Sequence, residues 1–151
     1  MTVIIRPATS TDMPIITEFN CRLAEESENK QLDQDTVIAG VTALLDSADR
    51  GRYYVAEIDS EVIGQLLITY EWSDWRNGLF WWIQSVYVAP SYRRSGVFSS
   101  LYKTVSDLAR DDPAVCGLRL YVEEENERAQ STYASLGMSR TRYEVMELDF
   151  T

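Results

Sequence analysis

The chain has 151 residues, 45% of them apolar, with 24 acidic residues against 14 basic ones and a formal charge of -10. At this length one domain spanning residues 1–151 is the simplest organisation, and the charge disfavours nucleic acid and acidic membrane surfaces while favouring a cationic small molecule. There is no histidine, which removes Ser-His and Cys-His dyads, histidine-ligated zinc and imidazole acid-base chemistry, so no metal is expected.

The opening "TVIIRPA" reads as a short strand, and "MTVIIRPATSTDM" lacks the charged start, apolar core and cleavage site of a leader. Thr11 offers a cap and Asp12 an acidic first turn for a helix whose inner stripe is Ile15, Ile16, Phe19 and Leu23. The stretch "EESENKQLDQD" reads as a solvated connection or fraying helix end. A second helix runs from about Thr36 with Val37, Val41, Leu44, Leu45 and Ala48 inward. "RYYVAEI", the turn "DSE" and "VIGQLLITYEW" form a hairpin, and "SDWRNG" turns the chain into "LFWWIQSVYV".

Val97, Leu101, Val105 and Leu108 share a face of the clearest helix, Val97 to about Arg110, which "DDP" ends. "GLRLYVE" is another strand, "NERAQSTYASLG" a short helix closing on glycine, and "MSRTRYEVMELDF" one or two last strands. The strand from Leu79 to Val88, the helix after it and the strand from Gly117 make a crossover, so those two strands are expected parallel in an otherwise antiparallel sheet. No run approaches the roughly 20 apolar residues of a membrane span, and a cytoplasmic location is the default expectation. Cys21 and Cys116 are expected as free thiols, buried or partly so.

The junction "PSYRRSGVFSSLY" places two arginines and a glycine between strand and helix. A helix start offers outward N–H groups and the positive end of the helix dipole, so it holds phosphate through the backbone. Gly96 lets the chain come close, Arg93 and Arg94 add charge, and Ser95 and Ser99 add hydroxyls. Alone, this pattern is better read as a glycine that starts a helix and arginines that solvate a turn. Neither GxxxxGK[ST] nor GxGxxG is present.

"VYVAPSYRRSGVFSSLY" resembles the acyl-CoA signature of the GNAT superfamily of N-acetyltransferases, with Arg93 and Gly96 matching and Phe98 standing where the family has a small residue. "NERAQSTYASLGM" is similar to the second family signature at Asn126, Ala129, Tyr133, Leu136 and Gly137, and "IIRPATSTDMPII" to the usual opening. The resemblance spans essentially the whole chain. It implies an α+β, three-layer α/β/α fold: a mostly antiparallel sheet with one parallel, splayed strand pair.

The resemblance further implies acetyl-CoA as co-substrate. Val86, Tyr87 and Val88 face its pantetheine arm, the amides from Arg94 through Val97 and Phe98 to Ser99 hold the diphosphate, and Asn126 and Ala129 follow from the next helix. The acceptor amine attacks the thioester directly, and Tyr133 supports the departing thiolate. An aliphatic amine has a pKa of about 10.4, so it must lose a proton first. Some family members use a glutamate near Gln84, but a glutamine is no base. It can orient water or substrate.

For the acceptor, Glu71, Trp72, Asp74 and Trp75 in the aromatic loop suit a cationic group, while packing explains Phe80, Trp81 and Trp82 at least as well. Glu28, in "EESEN", lies in the segment that commonly borders the acceptor pocket of the family. The leading reading is N-acetylation of a small, polyamine-like or peptide-borne amine. The alternative is a catalytically silent acyl-CoA-binding regulatory module on the same fold. Dimers are common in the family, and "FWW" offers an apolar contact for a homodimer.

Overall fold

The computed structural model describes residues 2–151. In chain order it contains β1 (Ile4–Pro7), a 3-10 turn (Ser10–Asp12), α1 (Met13–Glu28), α2 (Gln34–Leu45), β2 (Arg52–Ile58), β3 (Glu61–Ser73) and β4 (Gly78–Val88). A second 3-10 turn (Pro90–Tyr92), α3 (Val97–Asp111), β5 (Val115–Leu120) and α4 (Glu127–Ser135) follow. Two compact units result, Met1–Leu120 and Tyr121–Thr151.

In the first unit the five strands lie in sequence order. β1 to β4 are antiparallel neighbours, and β5 runs parallel to β4. β2 is buried on both faces, as its unbroken apolar run requires. Tyr53, Val55 and Leu67 pack with Ile16 of α1 and Val41 of α2 on one face. Strand alternation sends Tyr54, Ala56, Leu66 and Ile68 to the other, where α3 buries Val97, Leu101 and Val105. Each such buried aliphatic contributes about 1.5–3 kcal/mol relative to exposure, so this two-sided core dominates the stability of the sheet.

Several boundaries differ from the sequence expectation. The cap ahead of α1 is Asp12, not Thr11: it accepts from the Thr9 amide at 2.7 Å and takes two bonds from Arg6 at 2.8 and 3.0 Å. Of the two readings of the acidic stretch, the helix end holds for "EESE", the last turn of α1, which is capped at Asn29 in a left-handed conformation, φ 51°. Asp33 caps α2 by accepting from the Thr36 amide, and the helix stops at Leu45, leaving Ala48 exposed outside it.

β5 begins at Val115, before the expected Gly117, and ends at Leu120. Cys116 is exposed rather than buried, and both cysteines are free thiols. "FWW" offers no outward patch: Phe80 is buried, Trp81 packs edge-on to Tyr70, and Trp82 is half-buried.

The second unit holds α4, capped by Asn126, whose Oδ1 accepts from the Ala129 amide at 3.1 Å. Gly137 closes it at φ 93°. The expected final strands in "MSRTRYEVMELDF" do not form: residues 139–151 carry no helix or strand. Their alternation is a strand's, and a strand needs a neighbour to bond to.

Candidate functional site

The sheet opens where β4 outruns β5. Their last paired residues are Ile83 and Leu120, while β4 continues to Val88. Gln84 to Val88 therefore pair with β3 only, and the other edge of this stretch faces no strand among the described residues.

Within that stretch β4 is bulged. Gln65 faces Tyr87 and Leu67 faces Gln84, so Leu66 of β3 stands opposite two residues, Ser85 and Val86. Ser85 takes φ 49°, a left-handed conformation that costs a non-glycine residue about 1–3 kcal/mol and persists only where its surroundings hold it. Gln65 does the holding. Fully buried in β3, it donates from Nε2 to the Ser85 carbonyl at 3.0 Å and to Asn20 Oδ1 of α1 at 2.8 Å. Asn20 in turn donates to the Tyr53 hydroxyl at 3.0 Å. Burial pushes the Tyr53 phenol above its ordinary range, against bonds to Asn20 and Ser85 that pull it down.

This polar group borders a hollow of about 430 Å³ between α1, α2 and the sheet. Asn20, Tyr53 and Ser85 line it, Leu23, Val37 and Leu44 give it an apolar wall, and Glu28 and Lys30 bring opposite charges to it. A second hollow, about 540 Å³, holds Tyr54, Tyr70, Trp81 and the Asp111–Pro113 end of α3. It stands a helix length, roughly 20 Å, from the junction at the other end of α3.

At the junction Arg94 and Gly96 both take positive φ, 62° and 86°, so successive amides turn toward one side. A Cβ built on Gly96 meets nothing within 4 Å, so the space before these amides is open to a ligand and a side chain would enter it. The i→i−4 ladder of α3 opens with the Ser100 amide on the Gly96 carbonyl at 3.0 Å, and the turn ahead of it points its N–H groups outward at the positive end of the helix. The arrangement fits a diphosphate. Phe98 is half-buried with its ring 6.1 Å from that of Tyr102, one turn along the helix.

Arg93 serves the junction differently from the expected free charge. It donates from Nε to the Val88 carbonyl at 2.8 Å and from Nη2 to Glu26 at 2.7 Å, and its guanidinium lies 5.2 Å from the Tyr87 ring centroid. The Tyr87 hydroxyl donates to the other Glu26 oxygen. These bonds, Tyr87's first, hold the Glu26 carboxyl below its usual range, while burial and then Glu26 raise the Tyr87 phenol. Arg94 is exposed, and Ser95 spends its hydroxyl on the Tyr92 carbonyl.

Gln84 donates to Thr69 at 2.5 Å across the hairpin. Glu71 accepts from Trp82 Nε1 at 2.7 Å and from Arg119 at 3.2 Å, so its charge is already engaged. Trp72, Asp74 and Trp75 are exposed around the β3–β4 turn. The turn's end at Gly78 is seven strand residues from Ser85, roughly 23 Å, so the structure separates this loop from the bulge. Glu28 is the expected acceptor residue that lines the hollow beside Ser85. In the second unit, Tyr133 is half-buried on α4.

Sequence reasoning missed Gln65, Asn20, Tyr53 and Glu26. The one polar side chain inside "VIGQLLI" was a signal for Gln65. Glu26 needed the phase of a helix end that the reading had left open between helix and connection.

A parallel pair whose first strand outruns the second through a bulge, ahead of a phosphate-fitting helix start, is compatible with the acyl-CoA transferase fold that the sequence resemblance implied, and the comparisons specify the family. The model of the acetyltransferase (GNAT) family matches residues 15–138, and the chain belongs to that family. The family and its relatives make it an acyl-CoA-dependent N-acetyltransferase. The thialysine N-epsilon-acetyltransferase of Bos taurus is 30% identical over 146 residues, covering 89% of this chain and 83% of that protein.

The crystal structure of a possible acetyltransferase from Clostridium difficile 630 superposes with a TM-score of 0.93 at 44% identity, covering 100% of this chain and 99% of the other. AAC(6')-Iy, solved with the bisubstrate analog CoA-S-monomethyl-acetylneamine, shares the fold at a TM-score of 0.78 and 17% identity, with 100% of each chain covered. No helix among the described residues is long and apolar enough to cross a membrane.

Proposed function

We propose that the chain moves an acetyl group from acetyl-CoA to the primary amine of a small aliphatic, cationic acceptor lodged in the hollow between α1 and α2. The observation that carries this reading is the position of Ser85, which belongs both to the strained bulge and to the hollow's lining. Acetyl-CoA supplies a thioester whose carbonyl carbon takes the amine nitrogen and whose sulfur leaves as a thiolate.

The chain's part is positioning. Outward amides between Arg94 and Ser99 hold the diphosphate, and the β4 backbone from Val86 to Val88 hydrogen-bonds the pantetheine arm. An amide of the bulge faces the developing oxyanion, where one donor is worth about 3–4 kcal/mol. The apolar wall of the hollow suits a methylene chain. Glu28 and Lys30 suit an acceptor that carries a second ammonium or an amino-acid head, which agrees with the printed name of the Bos taurus relative.

Neither Gln84 nor Glu71 is placed as a base, so the amine loses its proton to solvent. From the family signature, Asn126, Ala129 and Tyr133 complete the cofactor side, with the Tyr133 hydroxyl donating to the leaving sulfur. A phenol of pKa about 10 donates a hydrogen bond to a thiolate of pKa about 8.5 without giving up its proton.

The test is thiol release from acetyl-CoA against a panel of diamines, lysine-like amino acids and peptides. Turnover is expected with the small aliphatic amines, and turnover confined to peptides overturns the acceptor reading.

A further inference from the structure

Every residue lining the hollow of about 540 Å³ at the far end of α3 belongs to the first unit. Its size falls within the roughly 300–1,000 Å³ of small-molecule sites. Tyr53 lines the hollow beside Ser85 and Tyr54 lines this one, and Leu67 and Ile68 divide in the same way. Consecutive strand residues point to opposite faces, so the two hollows stand on opposite faces of the sheet. This one is no extension of the acceptor site.

The fold leaves its polar groups unused. Tyr54 is 5% exposed, yet its hydroxyl has no hydrogen-bond partner among the described residues. That hydroxyl is not sealed off, because the fully enclosed side-chain atom without a partner among those residues is Gln65 Oε1. It opens onto the hollow that Tyr54 lines. The Tyr70 hydroxyl and the Trp81 indole N–H, on the same lining, also lack a partner among the described residues. Buried polar groups are nearly always bonded, so a hollow that collects three idle ones is shaped for a polar guest. Tyr70 and Trp81 meet edge to face with centroids 6.3 Å apart, a surface for an apolar or aromatic group. Burial raises the Tyr70 phenol, Arg52 opposes that, and Tyr54 and Asp49 add to it, so all three lie within electrostatic reach of Tyr70.

Charges of both signs border the same space without pairing. Arg52 and Asp111 form no ion pair or hydrogen bond through their side chains among the described residues, and Asp112 engages one oxygen with the Ala114 amide at 2.9 Å. Arg110, in the same turn, pairs with neither aspartate. Asp111 ends α3 and Asp112 caps it, at the negative end of the helix dipole, which disfavours carboxylates and favours a cation.

We propose that this hollow binds a free amino acid with an apolar or aromatic side chain: Arg52 takes its carboxylate, Asp111 and Asp112 take its ammonium, and Tyr70 and Trp81 hold the side chain. The Tyr54 hydroxyl bonds to the charged head. A cation alone leaves Arg52 facing a like charge, and an anion alone faces two carboxylates, so a molecule carrying both charges uses the whole lining. The site is independent of the acceptor reading above.

The test is a ¹⁵N chemical-shift titration of the full, assigned chain without acetyl-CoA, using L-phenylalanine, phenethylamine and 3-phenylpropanoate as separate probes. Saturable shifts are expected with L-phenylalanine at the Trp81 indole and the amides of Tyr54 and Asp112, with each singly charged analogue weaker by about tenfold or more. Arg52→Gln and Asp111→Asn, both at exposed positions, are each expected to weaken L-phenylalanine about tenfold with an unchanged melting temperature. Shifts confined to Asn20 and Ser85 would place the amino acid in the acceptor hollow and overturn the proposal. No saturable shift overturns it as well, and so does equal affinity for phenethylamine, which would mark a site for cations only.

Discussion

Arg93 reaches back 67 positions along the chain to place Nη2 2.7 Å from Glu26 Oε1, tying the last turn of α1 to the loop that opens α3. The tie spends the signature arginine on shape rather than on free charge. Replacing Glu26 by alanine is therefore expected to weaken coenzyme A binding about fivefold, the scale of a partly exposed, charge-assisted contact, with little change in melting temperature. Calorimetric titration decides it, and an affinity within twofold of wild type shows that the loop keeps its form alone. Because the folded Glu26 pKa is lowered, the brace is complete above the ordinary carboxylate range and is lost only as pH falls through the depressed value.

Gln65→Leu removes the donor that holds the Ser85 carbonyl while keeping an apolar residue of similar size in an apolar layer. The outcome expected is a fall in kcat of about tenfold or more, with the KM for acetyl-CoA changed far less. Steady-state kinetics beside a thermal melt separates this from general unfolding. Equal losses in stability and rate would make Gln65 a packing residue.

At Gly96 a valine meets no neighbouring atom, but it must adopt φ 86°, at a cost of about 1–2 kcal/mol. Its branched side chain also enters the open space in front of the amides. Coenzyme A affinity is expected to drop by more than the fold does, and full affinity in Gly96→Val would remove the diphosphate from this junction.

Tyr133→Phe is expected to lower kcat roughly tenfold to a hundredfold with coenzyme A affinity retained. An unchanged rate with a responsive amine excludes the hydroxyl from departure of the thiolate.

Asp12, buried beside Arg6, has its carboxyl held below the usual range first by the Arg6 bonds, against desolvation that raises it. The sign of the linkage follows: the contribution is present above the unfolded carboxylate pKa and fades as pH falls through the lower folded one. Asp12→Ala should cost about 2 kcal/mol in urea unfolding at neutral pH, and the gap to wild type should narrow in acid.

The strands and α3 were legible because their apolar periods are long and unbroken, and the parallel pair followed from the single crossover. The junction at Gly96 was legible because a glycine and charged residues interrupt apolar sequence there. Glu26 was not, since the acidic run "EESEN" looks solvated until the helix phase turns one carboxylate toward Tyr87. The Ser85 bulge was hidden for another reason: a one-residue register shift leaves no trace in composition, and only the lone polar Gln65 opposite hinted at it. The final strands expected in "MSRTRYEVMELDF" failed because alternation marks a strand only where a neighbouring strand takes its hydrogen bonds, and residues 139–151 form none.

Glu26 and Glu28 stand two residues apart in the same final turn of α1, one gripping Arg93 at the cradle and the other lining the hollow beside Ser85. A ligand that settles that turn on one side settles it for the other. The affinities for cofactor and amine are then expected to be linked through a single turn of helix, each changing the other by the same factor.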